Sequence, residues 1–168
     1  MVSVAPKDLP NYTPTDPFVC LDFQKEVERR CWEAGGKTQR VPAQRMIDFV
    51  EGKVSVDFPK TSYQPGIVSA DLNEVLPPLL AKRLKKAFVS FGKKMKGYYT
   101  NEAVLHAPES RTSSPVSIPR NAVTLEHIEI KGLYPCGEGA GYAGGIISAA
   151  IDGINCVDAI CDKYAQKL

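Results

Sequence analysis

The stretch GLYPCGEGAGYAGGIISAAIDGI, Gly132–Ile154, decides how the rest of the chain is read. It opens on a short apolar run, Leu133–Cys136, and passes through a turn built almost wholly of glycine and small residues. It then enters a segment that is apolar on nearly every helical face. The pattern predicts a strand, a turn suited to phosphate and a buried helix reaching Tyr164. Gly139, Gly141 and Gly144 satisfy G-x-G-x-x-G, the spacing that sets a dinucleotide's pyrophosphate at a helix N-terminus. A complete dinucleotide-binding unit also needs a second strand after the helix and an acidic residue about 20 positions on. With the helix expected to run almost to Leu168, no second strand is expected, and the turn is read as a secondary contact to a ligand cradled mainly elsewhere.

Gly137, Gly139, Gly141, Gly144 and Gly145 remove side chains where a backbone must come close to something. The helix that follows would offer unpaired N–H groups and a partial positive end. The same glycines also fit a tight turn that needs them only for packing. Cys136, just ahead of the turn, reads either as a thiol whose anion would feel the helix end or as a small hydrophobe closing a buried strand.

The composition is that of a globular protein: 168 residues, 43% apolar and 24% charged, enough for one ordinary core. A net charge of +2 is too mild to point to nucleic acid. The basic face formed by Lys82, Arg83, Lys85, Lys86, Lys93, Lys94 and Lys96 reads as solvated, with little aromatic interleaving. Five cysteines without C-x-x-C spacing suggest neither zinc nor a disulfide framework, and fit reduced thiols in a cytoplasmic protein. His106 and His127 are too few and too far apart to propose a metal site. The prolines among the first twenty residues exclude an ordinary signal peptide, and no apolar run is long enough to span a membrane.

Along the chain, Met1–Pro6 alternates like the end of a strand. Asp16-Pro17 should start a helix that buries Cys20, Phe23, Val27 and Cys31 and stops at Gly35-Gly36. A second helix is expected from Pro42 to Glu51, burying Met46, Ile47 and Val50, then a loop over residues 53–68. Asp71 should cap a turn. Pro77-Pro78 should open the longest helix, with an apolar stripe of Leu80, Leu84, Phe88, Phe91 and Met95, closed by Gly97. From Tyr98 the pattern changes: YYTNEAVLH and TLEHIEIKG read as strands, with ESRTSSPVSIPR extended between them.

The segment Gly132–Ile154 resembles the C-terminal, cofactor-contacting part of a family of uncharacterised FAD-dependent dehydrogenases, built on the glutathione-reductase type of FAD domain with an inserted domain. EVERRCWEAGG (Glu26–Gly36), VPAQRMIDF (Val41–Phe49), SYQPG (Ser62–Gly66) and ESRTSSPVSIPR (Glu109–Arg120) are similar to that family in the same order. The resemblance implies an α+β fragment. Residues 1–97 would be the tail of a mostly helical inserted domain. Residues 98–168 would be the end of a Rossmann-like FAD domain, with its last strand, turn and helix.

It further implies FAD contacts from Gly137, Glu138, Gly139, Ala140, Gly141, Gly144, Gly145 and Ile146, with Glu138 accepting a hydrogen bond from a ribityl hydroxyl. Arg111, Ser113, Ser114 and Pro115 would lie near the flavin or substrate, Arg111 facing an anionic group. For Glu138 the alternative is an ordinary acid at a helix start, and for the Arg111 segment a surface turn whose hydroxyls bond their own backbone. In this family a first G-x-G-x-x-G binds the ADP half of FAD, and residues 1–130 hold no such motif. The chain is therefore expected to be the C-terminal part of a larger oxidoreductase, inactive alone. Its partners would be the N-terminal part of the same protein, FAD and NAD(P)H as electron donor, with neither nucleic acid nor membrane. The catalytic acid and base are not readable. Two other classes stay open: a non-catalytic interaction module, and a small stand-alone nucleotide-binding protein.

Overall fold

The computed structural model describes residues 2–165 as an α+β chain with a three-stranded mixed sheet and five α-helices among those residues. It divides into two compact units. The first holds the residues up to Pro10 and Asp22–Ser110; the second holds Asn11–Leu21 and the residues from Arg111 onward.

In the first unit the sheet has the order β2-β1-β3, formed by β1 (Val41–Arg45), β2 (Ile67–Ser69) and β3 (Val104–His106). Val41 pairs with Ile67 in the parallel ladder, and Ala43 with His106 in the antiparallel one. Four helices accompany it: α1 (Val19–Ala34), which belongs to this unit from Asp22 onward, α2 (Met46–Glu51), α3 (Leu72–Val75) and α4 (Pro78–Lys94). Their shared core is Val27, Cys31, Phe49, Leu72, Leu76, Ala81 and Ala107, with Phe23, Leu80, Leu84 and Phe88 packed against it. Phe49 meets Phe88 edge to face at 6.1 Å, the preferred arrangement of two aromatic quadrupoles.

The amphipathic helices lie where their periodicity put them. Asp16 accepts the Phe18 N–H at 2.9 Å ahead of α1, and Val27 and Cys31 are buried on its inner face. The stripe of α4 is used only in its first half, because Phe91 and Met95 remain 41% and 45% exposed. Phe91 instead packs edge-on against Tyr98 at 5.6 Å.

Several expectations are corrected. Val41–Arg45 is the central strand and not the start of a helix, so the region expected to be mostly helical also carries sheet. Pro42 is tolerated there because it gives its carbonyl to the Ala107 N–H at 3.1 Å, at the end of the ladder where its own missing N–H breaks no further pairing. The loop expected over 53–68 ends early in β2, and YYTNEAVLH forms a strand only over its last three residues. Residues 2–5 are not a strand and lead into a 3-10 turn, Pro6–Asp8, whose Asp8 accepts the Ala5 N–H; Met1 lies outside the described residues.

In the second unit, Leu133–Cys136 and TLEHIEIKG form no strand. A strand needs a neighbour to take its N–H groups, and here local acceptors take them. His127 Nδ1 receives the N–H groups of Glu129 and Ile130, Glu126 receives that of Gly132, and Asn121 those of Val123 and Thr124. What remains is one isolated bridge, Arg120 to His127. The helix α5 (Ile146–Ala165) forms as expected but is not buried: Ile146, Ile147, Ile151, Ile154 and Val157 are each more than half exposed. A helix apolar on most sides needs cover from more than one direction, and this unit covers the face that carries Cys156. No helix of the described residues is long and apolar enough to cross a membrane.

One buried polar side chain ties the first unit together. Gln44, fully buried on β1, donates to the Lys53 carbonyl at 2.8 Å and accepts the Leu72 N–H at 2.8 Å. Gln44→Met keeps the volume but strands both backbone groups, and should cost about 2–3 kcal/mol in urea unfolding. A loss below ~0.5 kcal/mol would mean that water satisfies those groups instead.

Candidate functional site

The glycine turn is a real turn with its own hydrogen bonds. Gly141 N–H donates to the Glu138 carbonyl at 2.9 Å and Tyr142 N–H to the Gly137 carbonyl at 3.0 Å. Gly137 and Gly141 have φ of +72° and +85°, in the left-handed region that disfavours side chains. The helix then starts with Ala149 N–H bonding the Gly145 carbonyl at 2.9 Å, leaving the first-turn amides of α5 without intrahelical partners.

The glycines divide by what surrounds them. A Cβ on Gly141 would sit 2.8 Å from the Val116 carbonyl oxygen and 3.0 Å from the Ser117 Cα, so this glycine exists for close packing of two backbones. A Cβ on Gly139 or Gly144 would meet nothing within 4 Å, and one on Gly145 only the Ser148 hydroxyl at 3.7 Å. Packing explains the first, but the open pair has no neighbour within the unit that requires it to be bare.

Gly141's neighbour is the other specific block of sequence. Ile118 N–H bonds the Ala140 carbonyl at 3.1 Å, Tyr142 hydroxyl donates to the Ile118 carbonyl at 2.8 Å, and Ser114 hydroxyl reaches the Gly139 carbonyl at 3.3 Å. The fold thus brings Gly139, Ala140 and Gly141 together with Ser114, and Ala140 is buried at the junction. Arg111 and Ser113 are exposed on the same segment, with Pro115 half-buried. Glu138 is exposed, and Ile146 is 90% exposed at the start of α5. The turn presents an open face; two surface hollows, about 480 and 380 Å³, lie elsewhere, one beside Lys163 and one between Val50 of α2 and Lys86 of α4.

The residue that holds this arrangement was not singled out in the sequence. Arg120, last in the block ESRTSSPVSIPR, makes a two-pronged pair with Asp152 of α5 at 2.6 and 3.0 Å, its side chain 9% and that of Asp152 13% exposed. Arg120 also donates to the Pro135 carbonyl at 2.7 Å and stacks 3.6 Å from the Tyr142 ring centroid. Asp152 in turn accepts the Gly137 N–H at 2.8 Å. The Arg120 guanidinium holds the Asp152 carboxyl below the usual carboxylate range, burial opposing it and the Gly137 N–H helping. The pair could have been found in the sequence: Asp152 is the single charged residue in Ile146–Val157, and a charge on an otherwise apolar face calls for a partner.

The chain belongs to the family described as FAD-dependent protein, C-terminal domain-like, whose model matches residues 1–112. It is also 40% identical over 166 residues to an uncharacterized protein of Clostridium beijerinckii, the match taking in 98% of this chain. The chain spans about 30% of the length of that relative. The family match thus ends before the glycine turn, whereas the similarity to the longer relative takes in nearly the whole chain.

Asp152→Asn keeps the shape but leaves Arg120 uncompensated, and should destabilise the second unit by on the order of 3 kcal/mol, read by urea unfolding. Because the folded carboxyl titrates low, its contribution is whole above pH ~4, the unfolded value, and is lost as pH falls through the lower folded value. The protection of the Gly137 amide, its exchange rate relative to that of an unstructured amide at the same pH, should therefore fall in acid in the wild type and already be low in Asp152→Asn. Exchange independent of both would remove the pair from its role. Gly141→Ala should lower stability by at least about 1–3 kcal/mol, from the strained φ and the clash with Val116.

Proposed function

We propose that this chain is the C-terminal part of an FAD-dependent oxidoreductase, a dehydrogenase, and that the glycine turn is one wall of its cofactor site. Gly137, Glu138, Gly139, Ala140, Gly141, Gly144, Gly145 and Ile146 would line the cofactor, with Arg111, Ser113, Ser114 and Pro115 on its flavin or substrate side. The observation that carries the reading is the bare backbone at Gly139 and Gly144, where a Cβ would meet nothing within 4 Å. Membership of an FAD-dependent family supplies the group that such a surface suits.

The residues fit that group chemically. Open backbone amides and the start of α5 favour an anionic pyrophosphate or the electron-rich edge of a flavin. The exposed Glu138 carboxylate can accept a charge-assisted hydrogen bond from a ribityl hydroxyl. FAD when bound supplies hydride or electron transfer, with NAD(P)H the proposed donor. This chain's residues orient it: Arg120 and Asp152 fix the turn against α5, and the Ser114 segment backs it from the other side.

The proposal assigns residues 1–97 to an inserted domain and 98–168 to a Rossmann-like FAD domain. The first compact unit ends at Ser110, so β3 goes with the sheet of the earlier part. The exposed isoleucines of α5 are consistent with cover from the larger remainder of such a protein, since the relative is roughly three times as long as this chain.

The test is flavin content of the longer protein. Gly139→Val and Gly144→Val add bulk where the unit has room, so their stability should stay within about 0.5 kcal/mol of wild type while bound FAD falls by tenfold or more. Glu138→Ala should weaken retention by about tenfold, the worth of one charge-assisted hydrogen bond. Full flavin occupancy in all three folded variants would refute the assignment.

A further inference from the structure

Cys136 and Cys156 lie 20 positions apart in sequence but are brought together by the Arg120–Asp152 pair. Both neighbours of Cys136 are tied to that pair, Pro135 through its carbonyl to Arg120 at 2.7 Å and Gly137 through its N–H to Asp152 at 2.8 Å. Cys156 sits one helical turn beyond Asp152 on the same face of α5, with Arg120 3.4 Å from its sulfur. One nitrogen of the Arg120 guanidinium thus reaches both the carbonyl of the residue before Cys136 and the Cys156 sulfur, which sets the two cysteines beside the same group. The two differ in access: Cys136 is exposed and Cys156 only 3% exposed. An exposed sulfur with a shielded second sulfur behind it is the arrangement of an attacking and a resolving thiol.

We propose that Cys136 and Cys156 form a peroxide-reactive dithiol that closes reversibly to an intramolecular disulfide. The Cys136 thiolate attacks one oxygen of a hydroperoxide; an S–O bond forms, the O–O bond breaks, and the leaving oxygen departs as water or alcohol with one proton. The Cys156 sulfur then attacks the sulfenic sulfur of Cys136, an S–S bond forms, the S–O bond breaks, and the hydroxyl leaves as water with the Cys156 proton. Two thiols lose two electrons and the peroxide gains them. Burial holds the Cys156 thiol above its ordinary range, with Arg120 opposing, so Cys156 waits as a thiol. Arg120 stabilises the anion as it develops on the resolving sulfur. Cys31, buried in the core of the first unit and pushed up to about 11 by burial, is unreactive by comparison. The disulfide would tie the start of the glycine turn to α5, and its chemistry does not depend on the flavin reading.

The test uses the reduced chain without flavin, treated with hydrogen peroxide, followed by alkylation of remaining thiols and peptide mapping. Two of the five cysteines should become protected, in one peptide pair joining Cys136 to Cys156, and dithiothreitol should release them. In Cys156→Ser, Cys136 should persist as a sulfenic acid trapped by dimedone, and in Cys136→Ser peroxide consumption should slow by about tenfold or more. Both residues still alkylated after peroxide, or disulfides that join Cys20, Cys31 or Cys161 instead, would overturn the proposal. The wild-type map decides the matter even if a variant folds poorly.

Discussion

The second unit hangs on one guanidinium. Arg120 grips Asp152 on α5, the carbonyl of Pro135 ahead of the turn, and the face of Tyr142 within it, and Asp152 passes the grip on to the Gly137 N–H. A mostly shielded ion pair gains little over a hydrophobic contact of equal volume, but it is strict about geometry, and losing either partner leaves a charge unsolvated. That strictness suits a region with almost no side chains of its own. Glycine-rich backbone pays the largest conformational entropy to become ordered, and several directional bonds converging on it offset that cost.

The first unit uses the same device with neutral groups. Gln44 links the central strand to the Lys53 loop and to the start of α3, while Asp48 at the start of α2 accepts from both Ser55 and Asn101. Apolar packing between α1, α2 and α4 supplies the driving force, and these polar contacts choose which loop lies where. The block VPAQRMIDF is thus accounted for inside this chain as a strand and a buried clamp.

The helices were legible because an amphipathic stripe repeats over three or more turns, as Phe23, Val27 and Cys31 do on α1 and Leu80, Leu84 and Phe88 on α4. The sheet was not, because its strands are three to five residues long and the central one contains Pro42. The alternation in TLEHIEIKG misled for the opposite reason: the pattern fits a strand, but His127, Glu126 and Asn121 satisfy the backbone locally. The glycine turn was readable from composition, and its contact with the Ser114 segment only from the fold, since 25 residues separate Ser114 from Gly139. Arg120 was not legible because its partner lies 32 positions away, although the isolated charge of Asp152 implied one.

In the glycine turn, backbone is left bare at Gly139 and Gly144 with nothing nearby to require it, beside a helix whose isoleucines are exposed. Both features make sense together if a larger protein closes over this unit and a flat cofactor occupies the gap. The most direct measurement is amide hydrogen exchange across Gly137–Ser148 in the longer protein, with and without added FAD. Slowing by about tenfold or more confined to this segment on adding FAD, with β1–β3 unchanged, is the expected result. Equal exchange in the two states would contradict the account.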